Sequence, residues 1–381
     1  LLESHQGDDI SEKHKKDAGA KLWKGRGGPM KPDILSLDQN AIESLVAELG
    51  EPKFRAAQLY RWLHVSKVSS FDEMTNLPAK MKEKLNERFI VDPIRMVTYQ
   101  ESAIDGTRKY LFALPDGNLI ESVRMIYHHG ISVCISTQVG CRMGCVFCAS
   151  TLDGLSRNLT VGEMLGQVYA IIRHSKERVS NLVLMGCGEP MDNYDNVVSF
   201  VRRISDSNGE NISQRNITVS TCGIVPNIRK LKDENLQITL AVSLHAADDE
   251  KRKALMPIAR VYDLDTLLTA CKEYYEENKR RITFEYGLVR GENDSSAYAE
   301  RLAKLLNKYF EHAHVNLIPI NPIKERAFLA SDTASVYAFQ KKLEKFQINA
   351  TIRREMGRDI DGACGQLRRR YSEKNPGSEL S

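Results

Sequence analysis

Nowhere in the 381 residues is there a run approaching the roughly 18 consecutive apolar residues that a bilayer-crossing helix needs. The N-terminus also lacks the charged, apolar and small-residue order of a signal peptide. Both absences point to a cytoplasmic protein with no membrane partner. No internal repeat is present, and no low-complexity tract occurs beyond the first thirty residues. The net charge is only +4, so the total does not demand an anionic partner. No Met precedes Met30, and residues 1–35 are polar and without apolar periodicity, so they are expected to be a disordered or non-native leader.

The composition that is present, 42% hydrophobic and 27% charged, suits one large catalytic domain with smaller additions. Ile42, Leu45, Val46 and Leu49, then Ala56, Leu59, Tyr60 and Leu63, recur at helical spacing, which predicts a helical accessory domain over 36–92. Two Asp-Gly turns, Asp105-Gly106 and Asp116-Gly117, lie among β-rich runs and predict a β-meander over 93–130. From 131 to 353 short apolar strands alternate with helices. They are expected near Val133, Leu182 to Met185, Ile217 to Ser220, Ile238 to Ser243, Ile282 to Leu288 and Val315 to Ile318. Thr160 and Glu163 form a capping box at the first of these helices. The fold class is therefore α/β, a partial (β/α)6 barrel whose ligands gather at the C-terminal strand ends. A basic extension over 354–381 follows, with Arg354, Arg358, Arg368, Arg369, Arg370 and Lys374, and just before it stands Arg353.

In a reducing compartment, spaced thiols more often bind metal or do chemistry than form structural disulfides. Cys141, Cys145 and Cys148 follow the first barrel strand with no fourth Cys or His at short spacing. Three thiolates and an open position suit a substrate-binding site better than a closed structural zinc site, and thiolates also hold iron-sulfur clusters. A zinc loop with a distant fourth ligand is the alternative at this point. Gly188 and Glu189 end the next strand, where a glycine admits a ligand close to the backbone and a carboxylate can accept from an amine. Ser220, the run Ser243-Leu244-His245, and Asn321 also end strands; by position alone they could equally cap turns. Glu121 shares strand parity with Leu119, Val123 and Met125. An acid on an apolar face would be desolvated and made a better proton acceptor; at a solvent-exposed barrel mouth it would be a surface acid. Cys134 lies seven residues before the cysteine triplet, and Cys364 sits in a glycine turn of the basic extension. Cys187, Cys222 and Cys271 read as small buried or loop residues.

The CxxxCxxC spacing with Phe147 before the last Cys resembles the signature of the radical S-adenosylmethionine (SAM) superfamily. The segments CISTQVGCRMGCVFC, MGCGEP, STCGIVP, AVSLHA, LMPI, LIPINP and DIDGACGQL resemble the RlmN family, dual-specificity adenine-C2 methyltransferases of 23S rRNA and tRNA. The resemblance covers nearly everything after residue 36. It implies a [4Fe-4S] cluster on Cys141, Cys145 and Cys148. It also implies two SAM molecules per turnover, with contacts from Gly188, Glu189, Ser220, Ser243, Leu244, His245 and Asn321. Cys364 would carry a methyl group, Cys134 would resolve the adduct, and Glu121 would be the active-site carboxylate. A monomer is expected, with 23S rRNA and tRNA as substrates, an electron donor for the cluster and a disulfide reductant. The competing expectations are a C8-methylating 23S rRNA resistance enzyme of the same superfamily and a non-catalytic, zinc-stabilised RNA-binding protein.

Overall fold

A computed structural model of the protein describes residues 31–319, 329–360 and 366–374. Asn321 and Cys364 lie outside the described residues. Three helices come first: α1 (Gln39–Glu48), α2 (Phe54–Arg61) and α3 (Ala79–Arg88). Asp38 caps α1 by accepting the Ala41 N–H at 2.7 Å, and the stripe Ile42, Leu45 and Val46 is buried. The expectation of a disordered leader through residue 35 does not hold for its last residues. Ile34 and Leu35 are fully buried in the main core, and the Asp33 carboxylate accepts a 2.9 Å hydrogen bond from Thr160. Two apolar residues in a row are too short a run to show a period, which is why the pattern did not reveal them.

The remaining elements are β1 (Arg95–Glu101), β2 (Arg108–Ala113), β3 (Leu119–Tyr127), β4 (Gly130–Cys134), β5 (Gln138–Gly140), β6 (Leu155–Asn158), α4 (Val161–Ser175), β7 (Val179–Leu184), α5 (Tyr194–Ile204), β8 (Ile217–Thr221), α6 (Val225–Lys232), β9 (Thr239–Ser243), α7 (Asp249–Leu255), α8 (Leu264–Asn278), β10 (Ile282–Leu288), α9 (Ser296–Tyr309), β11 (His314–Pro319), α10 (Thr333–Lys345), β12 (Asn349–Ile352) and α11 (Gln366–Lys374). One ten-stranded sheet runs β1-β2-β3-β4-β7-β8-β9-β10-β11-β12, antiparallel through β4 and parallel from β4 to β12. The six expected barrel strands are β4 and β7 to β11, and β12 adds a seventh parallel strand. The meander and the barrel share this sheet, because β3 pairs in register with β4. A separate hairpin, β5 and β6, brackets the cysteine loop.

Alternation along the parallel strands explains both faces. Leu182, Leu184, Val219, Leu240, Val242 and Phe284 point outward into a core covered by the helices. Between them, on the concave face, stand Thr218, Ser220, Ser243 and Glu285, whose register is continuous across the strands. Parallel sheets buried on both sides usually read as unbroken hydrophobic runs. A polar, small-residue concave face therefore marks a ligand cavity rather than a packed interior. Helix α4 begins with the expected reciprocal cap between Thr160 and Glu163, and Arg157 holds the Glu163 carboxylate at 2.7 and 2.8 Å. Among the described residues no helix is long and apolar enough to cross a membrane.

Candidate active site

The cysteine loop leaves β5 at Gly140 and returns through β6, so both of its ends are hydrogen bonded. The Cys141 N–H donates to the Gly154 carbonyl at 2.8 Å, and the Thr151 hydroxyl donates toward the carbonyls of Cys145 and Cys148 at 3.2 and 2.9 Å. The Val146 N–H donates to the Leu255 carbonyl at 3.0 Å, docking the loop on α7. Beneath it Cys145, Cys222, Leu255 and Met256 form a small apolar cluster, joined by Met143 and Phe147. Cys141, Cys145 and Cys148 line one cavity of about 170 Å³ together with Gly188, Glu189, Ser220, Ser243, His245 and Glu285. Burial pushes the thiols of Cys141 and Cys145 up to about 12. Among the described residues no three His, Cys, Asp or Glu side chains gather around one ion position.

The Gly-Glu turn after β7 is built by close contact. Gly188 has φ +112°, and a Cβ there would lie 2.6 Å from that of Gln138; a Cβ on Gly186 would lie 2.6 Å from the Ile135 carbonyl oxygen. Gln138 accepts the Glu189 N–H at 2.8 Å and spends its own amide on Asn158 and Asp192. The Glu189 carboxylate accepts from the backbone of Met191 at 2.9 Å and of Cys222 at 2.8 Å. Burial nonetheless raises its pKa.

His245 has φ +56°, and its Nδ1 accepts the Gly287 N–H at 2.8 Å, which places the ring proton on Nε2. Burial lowers its pKa to about 3, so the ring is neutral. It meets Phe147 edge-on at 4.7 Å. Leu244 offers its backbone N–H to the Glu285 carbonyl at 2.9 Å, and its side chain is in the outer core. The Ser220 and Ser243 hydroxyls both turn to Glu285, at 2.9 and 3.5 Å.

Glu121 and Cys134 lie farther along the same concave face, since Cys134 is registered opposite Val123. Glu121 is buried, as its parity implied, but it is not an isolated acid. The Lys109 ammonium, itself fully buried, stands 3.0 Å away, a partner that strand parity alone does not reveal. The other carboxylate oxygen accepts the Arg368 N–H at 2.7 Å, in the first turn of α11. Leu367 packs on Leu111 and Leu119, and Arg368 reaches Asp153 beside the cysteine loop at 2.6 Å. Cys187 is half-buried, and its backbone is bonded to Ser136, Thr137 and Gln138; Cys222 lies under the cluster loop, and Cys271 is in the outer core.

Sequence reasoning missed Lys109, Gln138, Glu285 and the buried Arg252, whose guanidinium donates to the Cys222 carbonyl at 2.8 Å. For Glu285 a signal existed: Thr283, Glu285 and Gly287 alternate with Ile282, Phe284, Tyr286 and Leu288, so one face of that strand is polar.

Residues 135–303 match the Radical SAM superfamily, and residues 32–91 match the Ribosomal RNA large subunit methyltransferase N-terminal domain. The "Probable dual-specificity RNA methyltransferase RlmN" of Lachnospira eligens is 56% identical over 341 residues, 90% of this chain and 97% of that protein. Its counterpart of the same description in Lachnoclostridium phytofermentans is 55% identical over 92% of this chain and 98% of that protein. A crystal structure of a radical SAM methyltransferase from Sphaerobacter thermophilus superposes with a TM-score of 0.84 at 41% identity, covering 88% of this chain and 98% of that one.

Proposed function

The chain belongs to the RlmN family of radical SAM RNA methyltransferases, and on that premise we propose that it methylates C2 of an adenine in 23S rRNA and of the adenine 3′ of the anticodon in tRNAs. Cys364 is the methyl carrier, Cys134 the resolving thiol and Glu121 the proton acceptor. The observation that carries this reading is the anchoring of α11 on Glu121. Arg368, four residues after Cys364 in the sequence, donates its N–H to the carboxylate on the face that also bears Cys134.

The residues fit the cofactors. The three thiols supply the donor set for a [4Fe-4S] cluster that leaves one iron free of protein ligands, and the Gly188 turn gives a backbone cradle that a Cβ would fill. Glu189 would accept the methionyl amine of SAM; Ser220, Ser243, Leu244, His245 and Asn321 would complete its contacts. The cluster and SAM, when bound, supply the radical chemistry that removes hydrogen from the methyl group on Cys364. C2 lies between two ring nitrogens and is electron-poor, so direct attack on the SAM methyl is closed to it, and a carbon radical on the cysteine methyl is not.

The chain's own residues then do the remaining work. The Cys364 thiolate would take its methyl group from one SAM, which leaves as S-adenosylhomocysteine; the activated carbon then bonds to C2, the C2 proton passes to a Glu121 oxygen, and the one electron left on the adduct passes to a one-electron redox partner, which restores the closed-shell ring. The Cys134 thiolate attacks the Cys364 sulfur, the carbon departs with the bonding electrons and takes up a proton, and a Cys134–Cys364 disulfide remains. A cellular two-electron reductant reopens it. The basic C-terminal segment supplies phosphate contacts, and an exposed adenine in an RNA loop can enter the site. The enzyme works as a cytoplasmic monomer with an external electron donor. Nucleoside mass spectrometry of 23S rRNA and tRNA from a strain lacking the gene tests this: 2-methyladenosine should disappear and return on complementation. Loss of 8-methyladenosine instead would assign C8, and no change in either would overturn the reading.

A further inference from the structure

Among the described residues lining the cavity, Glu285 is an acidic side chain that the proposed reaction leaves without a task. It is 4% exposed and stands in the middle of the concave face, registered beside Ser243 on one strand and Asn316 on the other. Its Oε2 accepts the Ser220 hydroxyl at 2.9 Å, and the Ser243 hydroxyl is at a looser 3.5 Å. Its Oε1 is buried with no hydrogen-bond partner among the described residues. A buried carboxylate left half-satisfied costs stability, and such groups persist where a ligand supplies the missing donors.

The surroundings identify the donors. Glu285 borders two adjoining cavities. One holds the cysteine triplet, Gly188 and Glu189. The other, also about 170 Å³, is lined mainly by apolar groups, among them Leu255, Val289 and Ile318. Phe147, His245 and Glu285 border both. SAM has the same order of chemistry along its length: a charged amino-acid end, a ribose with two hydroxyls, and a flat base. With the amine at Glu189 and the base in the apolar slot, the ribose falls at Glu285. Carboxylates elsewhere bind ribose hydroxyls for the same reason, as anionic acceptors facing paired donors. We infer that Glu285 receives the ribose diol of SAM, with Ser220 and Ser243 held by the same carboxylate to complete the contact.

This rests on the SAM-binding reading above, and the test separates the two. Binding of S-adenosylhomocysteine and of its 2′,3′-dideoxyribose analogue is measured by anaerobic calorimetry on the cluster-loaded enzyme and on Glu285→Gln. The wild type should bind the diol ligand at least tenfold more tightly than the dideoxy one, and Glu285→Gln should lose most of that preference. A purely structural role would weaken both ligands equally, and that result overturns the inference. So does a wild type that binds the two alike, a comparison that decides the matter even if Glu285→Gln fails to fold. A wild type that binds neither ligand defeats the SAM reading itself.

Discussion

Cys134 is a small, buried thiol at the end of β4, flanked in register by Val123 and Val183. If it were only packing, alanine in its place would cost little beyond modest stability. As the resolving thiol it has a different signature: Cys134→Ala should complete methyl transfer and addition to C2 and then stop. Purified Cys134→Ala should carry nuclease-sensitive RNA on a denaturing gel, with an adenine-methylene adduct on the Cys364 peptide; normal turnover without an adduct would return the residue to the core. Lys109 permits a second test at this scale. Its ammonium is fully buried against Glu121, and removing one member of a buried pair strands the other charge. Lys109→Met should lower unfolding free energy by about 3–5 kcal/mol in denaturant titration. The double variant with Glu121→Gln should recover most of the loss, because no charge is then left alone. Additive losses would show that the pair is not coupled.

At the scale of elements, the N-terminus of α4 joins two parts of the chain. Thr160 accepts the Glu163 N–H at 3.0 Å, as an N-cap does, and its hydroxyl donates to Asp33 at 2.9 Å. An ordinary cap loss costs about 1 kcal/mol. Here Thr160→Ala also removes the donor to Asp33, so the expected loss is about 2 kcal/mol, at the upper end of the range for caps. Thr160→Ser keeps both bonds and should stay close to the wild type. Equal losses in the two variants would mean that the methyl group, and not the hydroxyl, matters. In the first turn of helix α11 the Arg368 N–H donates to Glu121, and Arg368 and Arg369 reach Asp153 at 2.6 and 3.7 Å. The helix therefore bridges the antiparallel strands and the cysteine loop.

The first helices and the barrel share one apolar core, and polar contacts join them further. Tyr60 donates to Asp206 at 2.5 Å, Lys67 meets Glu210 at 2.6 Å, Arg203 donates to the Leu37 carbonyl, and the Nδ1 of His64 is 2.9 Å from the Tyr169 hydroxyl. His64 is fully buried, and burial holds its pKa near 3 against an ordinary 6.5. The folded protein refuses a proton that the unfolded chain binds below 6.5. Its contribution is therefore complete above pH 6.5 and is lost as pH falls toward 3, with a slope of up to about 1.4 kcal/mol per pH unit. Denaturation between about pH 7 and about pH 5 should show the wild type weakening more steeply than His64→Phe. Parallel curves would mean that His64 protonates freely in the folded state.

What could be read without coordinates was local. Helical and strand periods located six barrel strands and two of the first helices, the capping box named the start of α4, and the motifs around Cys141, Cys145, Cys148 and Gly188-Glu189 carried a resemblance that implied the chemistry. These signals span a few residues and depend on covalent geometry, so the chain order carries them. Partners across the fold were not legible in that way. Strand parity put Glu121 on an inward face but could not say that Lys109 stands beside it or that α11 covers it, because parity reports a direction and not what lies there. Glu285 meets Ser220 from 65 residues away, and Arg368 meets Glu121 from 247 away. Such pairings exist only once the crossovers have brought the strands side by side. Local spacing along the chain thus carries the elements and the candidate reactive groups, whereas which buried charges face each other depends on the fold, because burial and pairing are properties of the assembled sheet.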